Sequence, residues 1–144
     1  MVEKRLRMDL GEFDLLGQVD RVDELPDGTI EIVDYKSGRE TVSVEDVASD
    51  LAMCCYQLLV ADKYPDRPVQ ARIIALKTNV SACASLSVDQ RAEFREDIVR
   101  LGSAILNRNW EENVPQFKAL CPKCDFLPLC QKSGLTLPTD PIFE

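Results

Sequence analysis

Residues 17–38 read GQVDRVDELPDGTIEIVDYKSG, and the reading of this stretch decides the fold. Two apolar-rich runs flank a Pro-Asp-Gly turn, the pattern of a β-hairpin. In the second run Ile30, Ile32, Asp34 and Lys36 alternate onto one face. That face begins as a core stripe and ends in a carboxylate and an amine. A three-residue loop, Pro26 to Gly28, pairs Leu25 with Thr29, Val22 with Ile32 and Asp20 with Asp34. A two-residue Asp-Gly loop would set Asp20 opposite Tyr35 instead. In the first register the two carboxylates stand with Cβ atoms ~5 Å apart. Like charges at that spacing repel unless a cation lies between them. Mg²⁺ suits such a place, because it takes oxygen ligands and keeps waters for exchange. The backbone carbonyl of Tyr35 offers one more oxygen. An ammonium at Lys36 can orient or deprotonate a water and stabilise developing negative charge. Together these groups suit phosphodiester hydrolysis. The plain alternative is a surface Asp34–Lys36 ion pair worth little, with Asp20 paired to Arg21 or Arg39.

Outward from the hairpin, residues 12–25 and 29–36 are its two strands. Residues 45–63 carry Val47, Leu51, Cys54 or Cys55, Leu58 and Leu59 at helical spacing, with Ser43 or Ser49 as N-cap. Pro65 and Pro68 close that helix. Residues 69–77 predict a third strand, and 84–86 a short fourth. Residues 87–110 predict a long amphipathic helix, with Ser87 and Gln90 spaced as a capping box. The N-terminal run EKRLR reads as the solvated start of an extended segment, and Trp110 as a helix-end anchor. The order β-β-α-β-(β)-α implies an α/β (α+β) fold, a small mixed β-sheet flanked by helices. This core is expected over 1–110. A cysteine-rich segment over 111–144 is expected to pack on it.

The chain has 144 residues, 45% of them hydrophobic and 29% charged, which suits one folded domain with a real core. It has no apolar run long enough for a membrane helix. Its N-terminus lacks the apolar core of a signal peptide. A soluble, intracellular protein without a membrane partner is the expectation. Histidine is absent, which excludes Ser-His and Cys-His catalysis and His-ligated zinc within these residues. A net charge of −8 argues against nucleic-acid binding by basic surface alone. A bound cation would change the local sign. Of six cysteines, Cys121, Cys124 and Cys130 form a C-x-x-C followed by a third cysteine, a spacing that suits zinc or an iron–sulfur centre. Cys54, Cys55 and Cys83 read as ordinary buried cysteines.

The pattern G-x-x-D-R-V-D, a turn, then I-x-D-Y-K-S-G resembles the RecB-like branch of the PD-(D/E)xK nuclease superfamily. The resemblance covers roughly Phe13 to Cys130. It implies a restriction-endonuclease-like core in which Asp20 and Asp34 bind Mg²⁺ or Mn²⁺ and Lys36 is catalytic. It also implies a helix bearing a catalytic glutamine and a tyrosine, carried over here to Gln57 beside Tyr56. In related helicase–nucleases a triplet like Cys121, Cys124 and Cys130 shares a [4Fe–4S] cluster with a cysteine far upstream. No cysteine precedes Gly17 here, and the family's N-terminal helix is missing. The chain is therefore expected to be the C-terminal piece of a longer protein. The implied function is a DNA exonuclease module of recombination or repair, cytoplasmic and bacterial, working with a helicase on DNA ends or single strands. The alternative is an inactive nuclease fold kept as a DNA-binding or scaffold module.

Overall fold

The computed structural model describes residues 2–108, 115–118 and 120–136. They fall into two compact units, Met1–Ser103 and Ala104–Glu144. The first holds a five-stranded mixed sheet in the order β1-β2-β3-β4-β5. Its strands are β1 (Val2–Asp9), β2 (Asp14–Glu24), β3 (Ile30–Lys36), β4 (Val69–Ala75) and β5 (Val80–Ala84). All neighbours are antiparallel except β3 and β4, which are joined by a helical crossover. Mixed sheet and flanking helices are the architecture expected from the sequence.

The hairpin takes the three-residue loop. Leu25 N–H donates to Thr29 O at 2.9 Å, Gly28 N–H returns to Leu25 O, and Val22 pairs with Ile32. Gly28 sits at φ +88°, a conformation that favours glycine. The expected solvated, extended N-terminal segment is β1, which pairs with β2 at the sheet edge and buries only Leu6. The last strand lies at 80–84 rather than 84–86.

The predicted helix over 45–63 is two helices, α1 (Val44–Ser49) and α2 (Leu51–Lys63). Asp50 ends the first and caps the second, its Oδ1 accepting from Met53 N–H at 3.1 Å. Ser43 caps α1 in a capping box with Asp46. Both helices cover one face of the sheet. Leu59 and Val60 pack on Leu6, Val19, Val22, Ile30, Ile32 and Val69. Val47 and Met53 pack on Val42, Ala71 and Ile73.

Helix α3 (Val88–Leu106) opens with the expected Ser87–Gln90 capping box. A Cβ on its Gly102 would overlap the Phe13 ring, so the helix lies directly against the β1–β2 loop. The predicted extension to 110 and Trp110 lie outside the described residues. In the second unit a 3-10 turn (Cys121–Lys123) leads to α4 (Leu127–Lys132). Among the described residues no helix is long and apolar enough to cross a membrane.

Candidate active site

The site forms where β2 leaves β3. Strand β2 serves two partners, β1 along its first half and β3 along its second. Val19 and Val22 are both buried in one core cluster, though three residues apart. A regular strand would put them on opposite faces. The alternation of faces therefore breaks between them, while the β1–β2 register runs on unshifted, Lys4 with Val19 and Val2 with Arg21. The β2–β3 ladder ends at Arg21 opposite Val33.

One step further on lie Asp20 and Asp34, as the three-residue loop requires. They do not face each other bare. Asp20 Oδ2 accepts the Tyr35 backbone N–H at 3.1 Å. Asp34 Oδ2 lies 2.8 Å from Lys36 Nζ. The Lys36 ammonium is the contact this buried oxygen makes; it accepts no other hydrogen bond. Asp34 is 8% exposed, which removes it from the class of surface ion pairs. Pairing with Asp34 raises the Lys36 pKa above the usual lysine value, against the opposing effect of burial. Lys36 is thus an ammonium at neutral pH. Arg21 pairs with Asp23, and Arg39 lies 3.9 Å from Asp46, so neither takes Asp20.

Helix α2 closes one side. Gly17, the glycine of G-x-x-D, carries Tyr56 and Leu59 directly on its backbone: a Cβ there would lie 2.6 Å from Leu59 Cδ1 and 3.1 Å from the Tyr56 ring. The missing side chain lets Tyr56 settle near the carboxylates. Burial raises the Tyr56 pKa, and the negative charges of Asp34 and Asp20 raise it further. Gln57 follows Tyr56 on α2. It is fully buried, not a solvated helix residue, and its Oε1 accepts from Leu86 N–H at 2.9 Å. Its Nε2 has no hydrogen-bond partner among the described residues.

A buried carboxylate oxygen met by a single ammonium, near a second carboxylate, fits a hard divalent cation. Among the described residues no three His, Cys, Asp or Glu side chains gather as a closed metal cage. A two-carboxylate site leaves positions open for water and phosphate, which is how Mg²⁺ is commonly held.

A family model described as the PD-(D/E)XK nuclease superfamily matches residues 1–131. The chain belongs to the PD-(D/E)XK nuclease superfamily. A comparison with curated proteins found no match. Strand β3 delivers Asp34 and Lys36 to the end of the core stripe.

In the second unit, the nuclease's Cys121 Sγ accepts Lys118 N–H at 3.2 Å, and Cys124 N–H closes the turn onto Cys121 O at 3.1 Å. Cys124 is exposed, Cys121 and Cys130 half-buried, and the three sulfurs are not gathered as one ligand set. Sequence reasoning missed the side chains of Arg21 and Tyr35. Arg21 Nη1 donates to Tyr35 Oη at 3.2 Å on the reverse face of the sheet. Both lie on a polar face, where hydrophobic periodicity carries no signal.

Proposed function

We propose that this nuclease domain hydrolyses DNA phosphodiesters with Mg²⁺ or Mn²⁺ held by Asp20, Asp34 and the Tyr35 carbonyl. The observation that carries the reading is the buried Asp34 carboxylate, whose Oδ2 is met by the Lys36 ammonium and which lies one step beyond the ladder with Asp20. When bound, the cation supplies Lewis-acid charge neutralisation and a more acidic water. The chain's own groups do the rest. Asp20 and Asp34 orient the site. Lys36, kept protonated by Asp34, donates hydrogen bonds to the attacking water and to the phosphate oxygen that gains charge. Tyr56 shields one side of the carboxylates. Gln57, tied to Leu86, is assigned to anchoring the segment after β5 rather than to the reacting atoms.

The RecB-like sequence pattern supports an exonuclease of recombination or repair acting beside a helicase motor. The Cys121–Cys124 turn supports a thiolate metal centre completed by a ligand from outside the described residues, [4Fe–4S] before zinc. Iron, sulfide and zinc analysis of anaerobically purified protein separates these two.

The test is cleavage of end-labelled single- and double-stranded DNA with Mg²⁺, Mn²⁺ or EDTA. Metal-dependent cleavage by wild type, lost in both Asp34→Ala and Lys36→Ala, is expected. Lys36→Ala should still bind Mn²⁺. Cleavage at the wild-type rate by either variant refutes the assignment.

A further inference from the structure

Beyond the end of the β2–β3 ladder, two links join these strands. One is the Tyr35 N–H to Asp20 Oδ2 bond already described. The other lies on the reverse face. The Arg21 guanidinium is gripped at two points by Asp23, Nε to Oδ1 at 2.9 Å and Nη2 to Oδ2 at 2.5 Å. Its remaining arm, Nη1, donates to Tyr35 Oη at 3.2 Å.

Two members of this clamp adjoin the site in sequence. Arg21 follows Asp20. Tyr35 stands between Asp34 and Lys36, and its own N–H holds Asp20. Moving the Tyr35 ring moves the main chain that presents all three groups. Asp23 fixes the guanidinium, the guanidinium fixes the phenol, and the phenol fixes the fork. The guanidinium's planar set of donors makes this geometry, and a lysine would not reproduce it.

We propose that Arg21, Asp23 and Tyr35 form a positioning clamp on the reverse face of the sheet, which sets the Asp20–Asp34 spacing and thereby the affinity for the divalent cation. This rests on reading Asp20 and Asp34 as the cation ligands. None of the clamp side chains touches the cation.

The clamp and a simple charge effect predict opposite signs. A positive guanidinium near a cation site repels the cation, so by charge alone its removal would tighten binding. By the clamp, its removal loosens the fork and weakens binding. The measurement is Mn²⁺ affinity of the full chain, read from the electron paramagnetic resonance signal of free Mn²⁺. The proteins are wild type, Asp34→Ala, Tyr35→Phe, Arg21→Met, Arg21→Lys and Arg72→Met. Arg72 is a control, since it belongs to a different ion pair, with Glu31.

The expected result is binding by wild type and loss in Asp34→Ala. Tyr35→Phe, Arg21→Met and Arg21→Lys should each weaken Mn²⁺ binding about five- to tenfold, part of the strength of a charge-assisted hydrogen bond. Arg72→Met should stay within twofold of wild type, although it is less stable. If Asp34→Ala loses binding while Tyr35→Phe keeps wild-type affinity, the clamp is refuted and the cation site stands. Tighter binding in Arg21→Met refutes the clamp in favour of charge. Wild-type binding by Asp34→Ala overturns the cation site and the clamp with it.

Discussion

Replacing Gly17 with alanine tests how the fold delivers Tyr56 to the carboxylates. The added Cβ would lie 2.6 Å from Leu59 Cδ1 and 3.1 Å from Tyr56 Cδ1 and Cε1. Comfortable carbon–carbon contact is ~3.5–4.0 Å, so the first overlap is close to an ångström. Leu59 is 2% exposed and surrounded by Leu6, Val19 and Val60, so it has no free space to turn into. Relief comes from an off-rotamer Leu59, at about 0.5–1.5 kcal/mol, or from helix α2 backing away. Together these give about 1–3 kcal/mol of destabilisation, the usual range for overpacking a filled core. For a domain this size each kcal/mol is roughly 4–8 °C of melting temperature. Calorimetry on Gly17→Ala should show that drop. In a Leu59→Ala background the same substitution should cost at least about 1 kcal/mol less, because the two sites touch. The helix retreat also carries Tyr56 away, so cleavage should fall by more than the loss of folded protein explains. A Gly17→Ala protein within about 0.5 kcal/mol of wild type, with full activity, refutes close packing of α2 on β2.

Two further outcomes follow from the charges. Glu31 is buried on the reverse face, where its Oε1 accepts from Arg72 Nε at 3.0 Å and Gln70 Nε2 at 2.6 Å. Arg72→Met should cost about 1–3 kcal/mol in urea unfolding by leaving that carboxylate short of a donor, with metal-dependent cleavage by the folded protein retained; a neutral substitution would refute the pairing. Acid should unfold the domain through carboxylates whose folded pKa values are depressed: Asp23 by Arg21, Asp27 by the Thr29 backbone and Asp46 by the Ser43 backbone. Folded values below the unfolded value of about 3.9 mean full stabilisation above roughly pH 5, lost as pH falls through the folded values. Asp46→Asn should flatten part of the stability slope below about pH 4, followed by circular dichroism; an unchanged slope there refutes its share.

The central hairpin was legible because its signals are local. Pro26, Asp27 and Gly28 specify the loop, and the alternation of Ile30, Ile32, Asp34 and Lys36 then sets register and face. The edge pairing of β1 was not legible, because an edge needs no apolar stripe and Leu6 is the one buried residue there. The break at Asp50 was hidden by apolar spacing that runs through it, from Val47 to Met53 and Cys54. The break of alternation in β2 did leave a trace, since Val19 and Val22 stand three apart where alternation needs two or four. Asp34 and Lys36 could be placed from the strand alone. What holds Asp20 could not, because its partner is a backbone N–H on another strand.

That partner explains why the site sits at this point of the sheet. In an antiparallel pair the closed hydrogen-bonded positions alternate. Counting from Leu25 and Thr29, the closed pairs are Asp23 with Glu31 and Arg21 with Val33, and the next would be Val19 with Tyr35. An unbroken ladder would give the Tyr35 N–H to the Val19 carbonyl and leave the Asp20 carboxylate without that donor. Instead the ladder stops at Arg21 and Val33, and the Tyr35 N–H goes to Asp20 Oδ2. One oxygen of Asp20 is then held by backbone and the other is left for a ligand. Asp34, one residue away on β3, keeps a buried oxygen met by the Lys36 ammonium. A continuous sheet would satisfy its backbone and offer neither. On the proposed reading, the interruption that costs this sheet one ladder pair is what makes the two carboxylates available to a cation.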